Sequence, residues 1–179
     1  MGFKKSPQYL AARVTHLEMQ ARNNNQVPLP IGMALAIMKA ELCPPHFYRY
    51  LYREIGKEHH WSVRRKLKDQ QIKDIIQSDQ TVIYILYISG CPAGFAELNL
   101  RNMPIAEVLY FGLIKEYQGR GLSRFFLNEV LSSAWDLDPK KLIIQTNTLD
   151  SPRALQLYQK LGFEPVSTSD VMIEAWKDD

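Results

Sequence analysis

Between residues 81 and 114 the chain runs through three apolar stretches separated by two short turns. Thr81-Val82-Ile83-Tyr84-Ile85-Leu86-Tyr87-Ile88 is β-branched and aromatic, the composition of a buried strand. Ser89-Gly90-Cys91-Pro92 reads as a turn, Ala93 to Leu100 as the paired strand, Arg101-Asn102-Met103-Pro104 as the next turn, and Ile105 to Ile114 as a third strand. The middle of the chain is therefore a β-meander.

Helical periods flank it. Phe47, Tyr50, Leu51 and Ile55 predict a helix over His46 to Ile55, and Ile72, Ile75 and Ile76 a second over Asp69 to Gln77. Met33 to Ala40 reads as a first strand. Phe125, Phe126, Leu127, Val130, Leu131 and Ala134 give an amphipathic helix after the meander. Lys141 to Thr148 reads as a strand. Ser151-Pro152 opens a further helix, with Ser as N-cap and Pro at the first helical position, and Gly162 closes it. Phe163 to Val166 and Val171 to Trp176 read as two last short strands. Residues 1–30 read as a weakly ordered or peripheral extension, with a helix from Tyr9 to Arg22 broken by Asn23-Asn24-Asn25 and Pro28-Leu29-Pro30. The expectation is one α/β (α+β) domain over residues 31–179 with a mixed sheet, a size that suits 179 residues.

Composition narrows the function. With 46% hydrophobic and 23% charged residues the chain is globular. Its two cysteines, Cys43 and Cys91, have no second Cys at ligand spacing, which excludes a disulfide scaffold and a Cys-based zinc site and fits a reducing compartment. No apolar run reaches the ~18–20 residues of a membrane span. Lys4 and Lys5 lead into mixed polar sequence, so no signal peptide is expected. Met1-Gly2-Phe3-Lys4-Lys5-Ser6 matches the loose N-myristoylation pattern, read as chance for want of a second anchor. A cytoplasmic protein is expected, with no membrane partner. Net charge is +3, too mild to argue for nucleic acid, although residues 1–80 hold 13 Lys and Arg against 7 Asp and Glu.

Chemistry concentrates between Leu113 and Arg124, where a strand ends, a glycine-rich turn follows and a helix begins. Gly119 and Gly121 let a ligand approach the backbone, and the free N–H groups of the first helical turn make a phosphate site. The turn lacks the third glycine of a dinucleotide-binding fingerprint and the Gly-Lys-Ser/Thr of a Walker loop.

Gln118-Gly119-Arg120-Gly121-Leu122-Ser123 resembles the pyrophosphate loop of the GNAT superfamily of acyl-CoA-dependent N-acyltransferases, whose pattern is Gln/Arg-x-x-Gly-x-Gly/Ala; Ser123 departs from it. Arg153-Ala154-Leu155-Gln156-Leu157-Tyr158-Gln159-Lys160-Leu161-Gly162-Phe163 is similar to that family's late helix and its Leu-Gly-Phe exit, with Ser151 where the family often has Asn. The resemblance covers roughly residues 33–176.

It implies a mostly antiparallel sheet whose two parallel central strands splay, the first ending at Leu113-Ile114 and the second being Lys141 to Thr148, with a bulge in the first. It implies acetyl-CoA as donor and no metal. The backbone of Leu113 and Ile114 would bind the pantetheine arm, Gln118 to Ser123 the pyrophosphate, and Arg120, Arg124, Arg153 and Ser151 further parts of CoA. Tyr158 would be the general acid on the leaving thiolate, and Glu107, or else Glu97, the base that frees the amine. The acceptor would be a small-molecule or peptide amine, and a homodimer is open. A non-catalytic acyl-CoA sensor is the first alternative and a nucleic-acid-binding protein the second. Of the remaining features, Tyr48, Tyr50, Tyr52 and Trp61 are candidates for an acceptor pocket. Arg64-Arg65-Lys66 reads as a solvated basic face or an acidic-acceptor selector. His46, His59 and His60 lack the spacing of a helical metal pair.

Overall fold

The computed structural model describes residues 6–24 and 26–177. The first five residues of the N-myristoylation pattern lie outside the described residues. In chain order the elements are β1 (Tyr9–Met19), β2 (Leu35–Lys39), α1 (Pro45–Gly56), α2 (Asp69–Ile76), β3 (Thr81–Ile88), β4 (Cys91–Asn99), β5 (Ile105–Leu113), α3 (Leu122–Trp135), β6 (Lys141–Asn147), α4 (Ala154–Lys160) and β7 (Glu164–Glu174). The strands form one seven-stranded sheet in the order β2-β3-β4-β5-β6-β1-β7. Every neighbouring pair is antiparallel except β5 and β6. This is the mixed, mostly antiparallel sheet expected from the sequence.

The meander runs β3-β4-β5, and its centre is covered on both faces. On one face Phe126, Leu127, Val130 and Leu131 of α3 join Leu86, Ala96, Leu98, Val108 and Leu142 in one apolar cluster. On the other, Tyr48, Leu51 and Ile55 of α1 and Ile72 and Ile76 of α2 cluster with Ile83, Ile85 and Phe95. Burial on both faces is why residues 81–88 read as an unbroken apolar run rather than an alternation. Each of these large side chains contributes about 1.5–3 kcal/mol by leaving water. Among the described residues, no helix is long and apolar enough to cross a membrane.

The N-terminal segment departs from expectation. Residues 9–19 form a strand inside the sheet, between β6 and β7, rather than a peripheral helix. Its buried positions change face along its length: Ala12 and Val14 are buried first, then Leu17 and Met19. The resulting spacing of Leu10, Val14 and Leu17 imitates a helical period, although each half alternates as a strand does. The chain's end differs too. The two short strands expected at 163–166 and 171–176 are one strand, because Ser167 to Asp170 pairs with Arg13 to His16 of β1. That stretch is exposed on both faces, which allows its polar composition. Arg13 Nε donates to Asp170 Oδ1 across the pair at 2.9 Å. The last helix also starts later than Ser151 would place it: Arg153 sits at the cap, while the Ser151 carbonyl accepts the Ala154 N–H at 2.9 Å.

Candidate active site

The site begins where β5 and β6 part. They pair in parallel only from Ile105–Lys141 to Val108–Ile144. Directly beyond, β5 carries one residue more than β4: Leu98 faces Val108 and Glu97 faces Tyr110, so Leu109 is an added residue, a bulge that turns the strand. The sequence-based expectation of a bulge at the divergence is met. The two strands open into a cleft of about 940 Å³. Its walls include Leu109 to Leu113 of β5, Gln145 to Asn147 of β6, the turn into α3, and Tyr158 of α4.

At one end lies the glycine turn. Gly119 and Gly121 both have φ +74°, and a Cβ on either would meet nothing within 4 Å. Glycine is thus needed there for backbone conformation rather than for packing. Gly121 caps the fourteen-residue α3 without any side-chain hydrogen bond to the first turn. The N–H groups of that turn are left for an external acceptor, at the positive end of the helix. Gln118 Nε2 donates to the Leu113 carbonyl at 3.1 Å and ties the turn to the end of β5.

Of the other residues expected around CoA, Gln118, Gly119, Gly121, Ser123, Arg124, Ser151 and Arg153 line the cleft. Arg120 is not on its wall; its guanidinium lies 5.6 Å from the Tyr117 ring centroid. Leu122 is a fully buried core residue. Ile114 is the clearest correction on this side. Its N–H donates to Ala93 at 2.8 Å and its carbonyl accepts from Tyr117 at 2.9 Å, so it has no N–H to offer a ligand. Strand alternation then directs the amides of Leu113 and Phe111 away from β4 and into the cleft.

The Tyr158 ring is in the core, edge-on to Phe163 at 6.4 Å between centroids. Its hydroxyl borders the cleft and makes no hydrogen bond with a described residue. Burial first, and the charge of Asp150 second, hold its pKa above the usual phenol range, so it is protonated at neutral pH.

The two glutamates expected as base are elsewhere. Neither lines the cleft. Glu107 accepts from Asn99 Nδ2 at 2.9 Å, its partner across β4. Glu97 is only 1% exposed. Its Oε1 accepts from Arg64 Nη2 at 2.6 Å and its Oε2 from the Tyr48 hydroxyl at 2.5 Å. Both oxygens are engaged in a buried cluster beneath α1. Truncating one partner would strand a buried charge, so Glu97→Ala is expected to lower stability by about 3–5 kcal/mol. A urea melt checks this; an unchanged midpoint would mean the ion pair contributes nothing.

That cluster also revises the reading of 64–66. Arg64 is buried with Glu97, the Arg65 guanidinium lies 4.7 Å from the Trp176 ring centroid, and Lys66 pairs with Glu174. None of the three belongs to a merely solvated face. Of the aromatic candidates, Tyr52 and Trp61 line the cleft, packed against Tyr110 at 5.1 and 4.9 Å between centroids. Tyr48 is sealed in the core, and Tyr50 stacks on Phe47 outside the cleft. Neither cysteine lines it. Burial, and to a lesser degree Glu97, push the Cys43 thiol up to about 11. Sequence reasoning missed Asp150 and Glu174, which line the cleft. It weighed His59 and His60 only as metal ligands, although both also lie on its wall. All four sit in turns or at an edge, where no periodicity marks them.

Comparison with known proteins agrees with this geometry. The profile of the acetyltransferase (GNAT) family matches residues 48–163. The chain belongs to that family. No curated protein sequence matches it. Among solved structures, a GNAT-family protein from Novosphingobium aromaticivorans has a TM-score of 0.62 at 15% identity, over 99% of this chain and 71% of that one. An aminoglycoside N-acetyltransferase in complex with CoA has a TM-score of 0.57 at 17% identity, over 78% of this chain and 94% of that one. A functionally unknown conserved protein from Staphylococcus epidermidis has a TM-score of 0.64 at 14% identity, over 94% of this chain. This chain spans 64% of that protein's length.

Proposed function

We propose that this protein is an N-acetyltransferase that moves an acetyl group from acetyl-CoA to a primary amine by direct attack in a ternary complex. The observation that carries this is a single cleft with a glycine turn at one end and the Tyr158 hydroxyl on its wall, opened by the parting of β5 and β6. The amides at the start of α3, with Ser123 and Arg124 beside them, suit a pyrophosphate. The groove between the strands suits an extended arm, and the Leu113 amide is placed to donate to a thioester carbonyl as negative charge develops on it.

Tyr158 stays protonated and donates to the departing thiolate. Its raised pKa makes full proton transfer costlier than for a free phenol, so its hydrogen bond to the developing charge is the larger part of its role. A lysine-like amine of pKa ~10.4 is mostly protonated at pH 7, and freeing it costs roughly 4.6 kcal/mol, which calls for a base in the cleft. The absence of either cysteine from the cleft wall favours direct attack over a thiol-bound acyl intermediate. The aromatic wall of Tyr52, Trp61 and Tyr110 suits a small cationic amine.

The test is acceptor-dependent thiol release from acetyl-CoA over a panel of primary amines that includes an aminoglycoside and an aromatic amine. Release that saturates with one amine is the expected result. Tight acetyl-CoA binding with no release from any member would favour a sensor of the same fold.

A further inference from the structure

An amine bound in the cleft has neither Glu97 nor Glu107 within it. Among the described residues the carboxylates on its wall are Asp150 and Glu174, each held through one of its two oxygens. Asp150 Oδ2 accepts the Thr146 hydroxyl at 3.0 Å and the Asn147 N–H at 2.9 Å. Glu174 is paired with Lys66. Two imidazoles also line the cleft, on consecutive residues, and their hydrogen bonds give them opposite tautomers. His60 Nδ1 receives the Trp176 N–H at 2.9 Å, so in the neutral ring the proton is on Nε2. His59 Nδ1 lies 3.4 Å from the Leu149 carbonyl oxygen. A carbonyl only accepts, so the proton is on Nδ1 and Nε2 carries a lone pair.

The position of His59 matches that chemistry. It comes from the turn after α1, on one side of the cleft, whereas Leu149 belongs to the turn between β6 and α4, which also carries Asp150. The bond therefore ties the turn after α1 to the turn before α4. His59 also lies 6.4 Å, ring to ring, from Trp61, which packs on Tyr110 in the diverging half of β5. The imidazole thus lines the same cleft as Leu113 and Tyr158, where the amine would attack.

We propose that His59 is the general base of the acetyl transfer, an inference that rests on the acetyltransferase reading above. The amine nitrogen forms the new bond to the acetyl carbon and the carbon–sulfur bond breaks. The amine proton passes to His59 Nε2, and the leaving thiolate accepts a hydrogen bond from the Tyr158 hydroxyl. The imidazolium returns its proton to solvent, and the released thiolate takes one from solvent. The Leu149 carbonyl holds the ring in its tautomer and stabilises the imidazolium.

Several titratable groups share this space. Asp150 and Tyr158 face it from the β6–α4 side, Tyr110 from β5, and Tyr52 from α1. The Glu174–Lys66 pair also lines it. On its own turn His59 is flanked by His60, Lys57 and Glu58, and Glu58 accepts from Lys115 at 3.0 Å.

His59→Asn is the informative variant, because an Asn amide can still donate to Leu149 while Nε2 is gone. With the amine found in the panel, it should lower kcat by about 10²–10⁴-fold. It should leave acetyl-CoA affinity and the unfolding midpoint in place. Turnover within about threefold of wild type overturns the assignment and leaves the acetyltransferase reading intact. Wild-type protein that fails to bind acetyl-CoA overturns both. Nitrogen-15 NMR of the imidazoles in the free protein should show His59 protonated on Nδ1 and His60 on Nε2; a His59 ring protonated on Nε2 also overturns the proposal.

Discussion

A chain lacking residues 1–22 is expected not to fold. β1 lies between β6 and β7 and is the strand that both pair with. Among the described residues, β6 then loses one of its two neighbours and β7 its only partner in the sheet. The core loses Ala12, Val14, Leu17 and Met19, all buried. Truncating one such leucine or methionine to alanine already costs about 2–5 kcal/mol, against a total stability of about 5–15 kcal/mol for a typical domain. The truncated chain should show no cooperative thermal transition and no near-UV dichroism. A cooperative melt near the full-length midpoint would mean that the segment is dispensable, as its sequence alone suggests.

Tyr158→Phe is expected to lower turnover by about 10²–10⁴-fold while acetyl-CoA affinity changes little. The two effects separate because the ring and the hydroxyl have different jobs. The ring packs in the core against Phe163, and phenylalanine preserves that contact. The hydroxyl has no partner among the described residues, so its removal leaves no buried group unsatisfied. Steady-state thiol release gives kcat, and calorimetric titration gives the affinity. Unchanged kcat would take the hydroxyl out of the reaction. A lost binding isotherm from a folded variant would make Tyr158 a packing residue only.

How much of this was legible beforehand follows from where each signal sits. α1, α2 and α3 were readable because their apolar residues repeat at the helical period, as Phe126, Val130 and Ala134 do on α3, and the meander because its strands are apolar, β-branched and aromatic runs set between turns. The glycine turn was readable because a backbone at φ +74° all but demands glycine. β1 was hidden by a change of buried face in mid-strand. β7 was split in two because an exposed strand has no need of apolar residues at Ser167 to Asp170. The site suffered most where function depends on which way a side chain points. Glu97 and Glu107 lie on strands beside the cleft, yet both turn away from it, Glu97 to Arg64 and Tyr48 and Glu107 to Asn99. For Glu97 the partners lie 33 and 49 residues away, a choice that leaves no local pattern.

Calorimetric titration of acetyl-CoA into the wild-type protein and into Gly121→Val is the most direct measurement of whether the cleft is an acyl-CoA site. A β-branched residue cannot easily hold the left-handed conformation of Gly121, so the variant turns the first amides of α3 off their shared target. Saturable binding to the wild type is expected, weakened at least roughly tenfold in the variant, the cost of one lost hydrogen bond to a charged group. No binding to folded wild-type protein at millimolar acetyl-CoA, or equal affinity in the two proteins, would contradict the assignment of the glycine turn to the pyrophosphate.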